Sequence, residues 1–181
     1  MKKLAAIAYT LPRNTGVVVF EIPVLLHLMS YRQLKCLAPE AGGQLFATFD
    51  DPKIMRIVEA TGPRLTDRRS LFGYRPDRTA ERAEIADRYA RGLHFVGDWH
   101  THAQSVPSPS GTDIESMSET VAQSRYDIPG FVLVIVGRIA FPDGLYVAFH
   151  EKKRRTVLVP SADVPAPKKG AERVVPKPPF P

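Results

Sequence analysis

Two hydrophobic rhythms run along this chain. Period-two or continuous β-branched runs mark strands, and apolar residues three or four apart mark helices. The run VVVFE, Val17 to Glu21, reads as a strand. Pro23 then opens a helical pattern in which Leu25, Leu28, Met29, Leu34 and Leu37 recur at helical spacing until Pro39 stops it. Gly42 and Gly43 predict a tight turn before a strand from Leu45 to Phe49, and a third strand follows over Ile54 to Ala60. Turn formers and arginines from Thr61 to Asp77 predict a surface loop with one short extended piece at Ser70 to Tyr74. Asp77 caps a helix through about Arg91, with Ile85 and Tyr89 inward, Gly92 as terminator and the charges facing solvent. Strand character resumes over Leu93 to His102, and a loop then runs into a helix with Ile114, Met117 and Val121 on one face. Phe131 to Gly137 is apolar on both faces and reads as a central, doubly covered strand. Leu145 to His150 and Thr156 to Val159 supply two more, the first preceded by a turn at Pro142, Asp143 and Gly144. Strands interleaved with helices predict an α/β fold, a mixed central β-sheet with helices packed on it.

Composition bounds this picture. A length of 181 residues suits one domain with a real core. Residues 1–159 form that domain in this reading. The segment 160–181 holds seven of the 17 prolines and reads as a Pro/Lys-rich flexible tail, because it has too little apolar surface to offset its ordering entropy. The single cysteine, Cys36, has no disulfide partner within the chain and is expected as a buried, inert thiol in a reducing compartment. The opening MKKLAAIAYTLPRN is interrupted by Thr10, Pro12 and Arg13, which makes it a poor signal peptide and too short a membrane span, so a cytoplasmic location is expected. The net charge of +6 favours acidic partners, but the basic residues are scattered and do not alternate with aromatics, so nucleic acid is not the expected partner.

The chemistry concentrates in GDWHTHAQSVPSPSGTD, residues 97–113. In a strand, His100 and His102 point the same way and present two imidazoles side by side. After ten intervening residues Asp113 falls in the first turn of a helix, and the Pro/Ser-rich loop between can fold its carboxylate back toward the histidines. Two nitrogens and one oxygen leave a tetrahedral zinc ion one position for water. Water bound there has its pKa lowered to about 7 and becomes a nucleophile at neutral pH. Asp98 shares the face of His100, either as an imidazole partner or in an edge-strand salt bridge. Trp99 on the opposite face reads as core, His27, His94 and His150 as packing or surface residues, and Ser105 and Ser108 as loop solvation. The arginine-rich loop Arg64 to Arg78 is a solvated loop or one wall of a substrate cleft. The EKKRR run from Glu151 to Arg155 reads as a charged strand edge that discourages further pairing.

His100-Thr101-His102, ten residues, then Asp113, with Ser110 in an S-x-x-D position, resembles the JAMM signature of JAB/MPN-type zinc metallopeptidases, whose fold is cytidine deaminase-like. The phrase GDWHTH is most similar to bacterial members found beside E1/E2-like enzymes in antiphage operons of the CBASS type. The resemblance implies one catalytic zinc held by His100, His102 and Asp113, and Ser110 as an oxyanion donor. It also implies an upstream glutamate that moves the proton between water and the leaving amine. Glu40, in PEAGGQLF, is the candidate by its turn context, and Glu21 competes with it. The implied activity is a deconjugating isopeptidase or peptidase acting on a ubiquitin-like modifier or a protein conjugated through its C-terminus. Ala103 departs from the family, where proline is usual, and this bears on loop rigidity. Two rival readings stay open: a non-catalytic scaffold of the same fold, and a DNA-associated protein of the RadC-like branch, whose loop SVPSPSGTD resembles.

Overall fold

The computed structural model describes residues 4–124, 128–152 and 154–167. In chain order the elements are β1 (Ile7–Thr10), β2 (Val17–Phe20), α1 (Ile22–Ser30), β3 (Gly42–Asp51), β4 (Ile54–Ala60), β5 (Arg68–Ser70), β6 (Gly73–Arg75), α2 (Arg78–Ala90), β7 (His94–Thr101), α3 (Gly111–Gln123), β8 (Phe131–Val136), β9 (Leu145–Glu151), β10 (Arg154–Val157) and β11 (Pro160–Ser161). Nine strands form one mixed sheet in the order β10-β9-β8-β7-β3-β4-β2-β1-β11, and β5 and β6 make a separate hairpin. Two pairs, β2 with β4 and β7 with β8, run parallel.

The sheet is covered on both sides, as the apolar strand β8 demands. Val132, Val134 and Val136 belong to the core shared with Leu25 and Leu28 of α1, while Phe131, Leu133 and Ile135 pack with Ile85 of α2 and Met117 and Val121 of α3. All six β8 residues are buried. Full burial of one such side chain contributes about 1.5–3 kcal/mol, so this strand anchors both layers.

Several sequence expectations are corrected. The first helix stops at Ser30, not at Pro39. Its last turn tightens through Tyr31 N–H to Leu28 O and Arg32 N–H to Met29 O, and the Ser30 hydroxyl bonds back to His27 O. Beyond it, Leu34 and Leu37 are exposed by 62% and 76%, because the segment is held by polar bonds such as Gln33 Nε2–H to Ala38 O rather than by an apolar face. Cys36 lies in this segment and is exposed, against its expected burial. Gly42 and Gly43 are not a turn but the start of β3; a Cβ on Gly43 would lie 1.8 Å from Thr61 O, so close strand approach is what requires glycine there.

The extended piece near Ser70 is a complete hairpin, β5–β6. The charges of α2 do not all face solvent: Glu81 is buried against Arg78, and Arg88 pairs with Glu59. Strand β1 was not signalled by the N-terminal pattern, and Pro160–Ser161 of the Pro-rich segment pairs with its Ala8 and Tyr9. Arg56 Nη2–H reaches Pro165 O at 3.0 Å, which ties the chain down slightly further. Residues 168–181 of that segment lie outside the described residues, as does Lys153 in the EKKRR run. Strand β10 starts two residues earlier than expected and forms one edge of the sheet, with Arg154 and Arg155 exposed.

Candidate metal centre

One irregularity in β7 decides which face carries the histidines. Against β3, Gly97 pairs with Leu45 but Phe95 pairs with the next residue, Phe46, so Val96 is the extra residue of a bulge. Gly97 has φ 145°, and a Cβ there would lie 1.9 Å from Val132 O. The bulge shifts the side-chain phase: Phe95 faces the α2/α3 layer, whereas Val96 and Trp99 both join the α1 core. Asp98 and His100 are thereby turned to the α2/α3 side. Trp99 is core as expected, with its indole N–H donating to Thr61 O.

His100 lies near the end of β7, and His102 follows just past it, its N–H bonded to Val136 O. Asp113 sits in the first turn of α3, where a local sequence signal places it. Ser110 is the N-cap: its Oγ accepts the Asp113 N–H at 3.2 Å, and its own N–H donates to Asp113 Oδ2 at 2.6 Å. This capping box leaves the other carboxylate oxygen, Oδ1, 3.2 Å from His100 Nε2. The two Nε2 atoms are 3.2 Å apart, and His102 Nε2 is 3.5 Å from Asp113 Oδ2. Bonds of 2.0–2.1 Å at tetrahedral angles separate ligand atoms by about 3.3 Å. Each of these distances is close to that spacing, the two to Asp113 running to its different oxygens, and the three residues form a metal-competent cluster among the described residues. Burial pushes the Asp113 carboxyl up, but His100 and the Ser110 groups outweigh it and hold it well below the usual carboxylate range.

Glu40 is delivered to the same place by β7. Between the two histidines, buried Thr101 points to the opposite face, where its Oγ1 accepts the Ala41 N–H at 2.9 Å, and its N–H donates to Ala41 O. This clamp fixes the residue next to Glu40, whose own N–H and C=O bond to Ser70 O and Arg69 Nε of the hairpin. Glu40 lines a cleft of about 630 Å³ together with His100, His102, Ser110 and Asp113. Burial raises its carboxyl pKa, with His100 opposing and Asp113 adding to the rise. Glu21 is elsewhere: it is the N-cap residue at the start of α1 and pairs with Arg56 at 2.6 Å.

Sequence reasoning did not foresee Thr101, and its signal was there: a hydroxyl between two histidines on a strand must face the opposite side. Asp98 is not at a sheet edge, since β7 is interior, and its electrostatic neighbours are Glu81, Arg78 and Arg64. His94 and His150 are buried, as packing residues would be. The Arg64–Arg78 segment is solvated at Leu65, at Arg68–Ser70 and at Phe72, yet it is held by polar contacts. Arg64 reaches Gln44 and Glu84, and Asp67 accepts from Tyr74 Oη–H and from the N–H groups of Arg64 and Asp77, which bolts the hairpin to α2. Phe72, Gly73, Tyr74 and Arg78 form one cleft wall.

The fold and these residues define a JAB-type domain with a His-His-Asp cluster that could hold a metal ion. The family described as prokaryotic homologs of the JAB domain matches residues 23–155, and the chain belongs to it. A protein of Enterobacter hormaechei named CD-NTase/cGAS isopeptidase is 36% identical over 112 residues, 58% of this chain and 58% of its own length. A Vibrio cholerae protein of the same name is 32% identical over 123 residues, 65% of this chain and 74% of its own. The solution structure of a Desulfitobacterium hafniense protein superposes with TM-score 0.54 at 16% identity, covering 76% of this chain and 87% of that one, a likeness of fold. Among the described residues no helix is long and apolar enough to cross a membrane.

Proposed function

We propose that this domain is a zinc-dependent isopeptidase that releases a protein conjugated through its C-terminus, or a ubiquitin-like modifier, from its target. The observation that carries the reading is the spacing of His100 Nε2, His102 Nε2 and an Asp113 oxygen around one point, with Glu40 on the same cleft. The names of the relatives support the bond type and a CBASS-type setting; that E1/E2-like enzymes build the conjugate is what the sequence resemblance implies. Nothing in this donor set departs from what zinc takes, namely two imidazoles and a carboxylate with room for solvent.

A zinc ion held by His100, His102 and Asp113 would supply an acidified water and polarise the scissile carbonyl. Glu40 takes the proton of the attacking water on a carboxylate oxygen and passes it to the leaving amine nitrogen; its raised pKa moves it toward the neutral range where a base of this kind works best. The Ser110 Oγ is already an acceptor for the Asp113 N–H, so its own proton is free to donate to the developing oxyanion. Strand β6 has β5 as its one ladder partner among the described residues, and its Gly73 and Tyr74 line the cleft. An extended substrate tail would add along it through backbone hydrogen bonds.

The DNA-associated reading loses support because Arg64 and Arg88 are engaged internally with carboxylates and do not form a free basic stripe. The test uses a conjugate formed by an E1/E2-like pair. The chain releases it, chelation abolishes release, Glu40→Gln keeps stoichiometric zinc but loses at least about a hundredfold in rate, and His102→Ala loses both. Stoichiometric zinc without turnover on any conjugate would establish the scaffold instead.

A further inference from the structure

The loop from Ala103 to Pro109 lacks the proline usual after the second histidine, yet it is closely held. Arg138 N–H donates to Gln104 O at 2.8 Å and Ile139 N–H to Ser105 O at 3.3 Å. Arg138 Nε–H donates onward to Gln33 O at 2.8 Å. Gly137 passes so near that a Cβ would lie 2.6 Å from Ser105 O. These bonds fix the Gln104 main chain and leave its side chain to act.

That side chain closes the loop. Gln104 Oε1 accepts the Ser108 N–H at 2.8 Å, and the Ser108 hydroxyl lies 3.4 Å from the same oxygen. Ser108 O, held in place, faces His102 Nδ1 at 2.9 Å. A carbonyl oxygen only accepts, so this contact requires the proton on Nδ1 and leaves the Nε2 lone pair free.

We propose that Gln104 is a positioning residue for the metal centre: its amide oxygen shapes the 104–108 turn that locks His102 in the Nδ1–H form, aiming Nε2 at the ion. The proposal rests on the zinc reading above for its consequence, but the lock belongs to this chain alone. Groups that orient a ligating histidine through its far nitrogen commonly govern metal affinity 10–100-fold.

The experiment compares wild type with Gln104→Leu, which keeps bulk and loses the acceptor, and Gln104→Glu, which keeps an acceptor oxygen. Zinc is titrated against a chromogenic chelator, and ¹⁵N spectra of the metal-free proteins report the His102 tautomer. Gln104→Leu is expected to weaken zinc about 10–100-fold and to mix the tautomers. Its metal-free melting temperature should stay within about 3 °C of wild type. Gln104→Glu is expected to restore both the affinity and the Nδ1–H form. A leucine variant with unchanged affinity and tautomer overturns the proposal, and so does a glutamate variant as impaired as the leucine one. Should wild type bind no zinc, the isopeptidase reading and the metal-positioning role both fail; a tautomer that still depends on residue 104 would then leave only the lock on His102.

Discussion

At the scale of single residues, Gly97 does what no other side chain could do at its position. With its φ of 145° and Val132 O so close, any Cβ must displace the parallel β7–β8 ladder or undo the bulge. Gly97→Ala is therefore expected to cost about 2 kcal/mol or more in urea unfolding. It should also lower zinc occupancy, because losing the bulge would carry His100 toward the α1 side. Unchanged stability and occupancy would show that the bulge is dispensable. The residues of the His-His-Asp cluster were legible in the sequence for a local reason. The two histidines are related by strand alternation, and Asp113 by a capping box four residues long, and neither relation needs knowledge of the rest of the fold. The bulge was not legible, since Gly97 marks a place where β7 could break phase but does not say that it does.

Among elements, the decisive contact is between the end of β7 and the entry to β3. Thr101 and Ala41 exchange two hydrogen bonds there in a fully buried setting, and this is how a glutamate sixty residues upstream is brought to the histidines. Thr101→Val keeps the shape and orphans the Ala41 N–H, a loss of about 1–3 kcal/mol. Because Glu40 is the neighbouring residue, turnover should fall by more than zinc affinity does. Equal losses in both, or a loss in neither, would mean that Glu40 is placed by its hairpin contacts to Ser70 and Arg69 alone. Element types were mostly readable: β2, β4, α2 and β8 fall where periodicity and the Asp77 cap put them. The end of α1 was not, because Leu34 and Leu37 continue its spacing by coincidence while buried Gln33 takes over the packing. The β5–β6 hairpin was read as only one extended piece, since three-residue strands carry no period and depend on the Asp67 hydrogen bonds that close them.

For the whole molecule, the sheet's two buried faces set its response to acid. His150 pairs across β9–β10 with Arg155 and is 3% exposed; burial first, and the Arg155 charge second, push its pKa down to about 4. The unfolded chain takes up that proton near pH 6.5 and the native one does not, so this group favours unfolding increasingly as pH falls from 6.5 toward 4. Half-buried His27 and buried His94 are shifted down too and act in the same direction. Asp98 acts oppositely: burial, then Glu81, raise its carboxyl to about 7, so its effect on stability is unfavourable as pH rises toward 7. A difference between two proteins cancels that background. His150→Leu, unable to take a proton in either state, should lack about 2 kcal/mol of the destabilisation that wild type suffers between pH 7 and 4.5. Urea unfolding of both proteins at the two pH values measures the quantity directly. Parallel losses in the two would mean that His150 takes up its proton in the native sheet as it does in the unfolded chain, and acid sensitivity would then lie with His27 and His94.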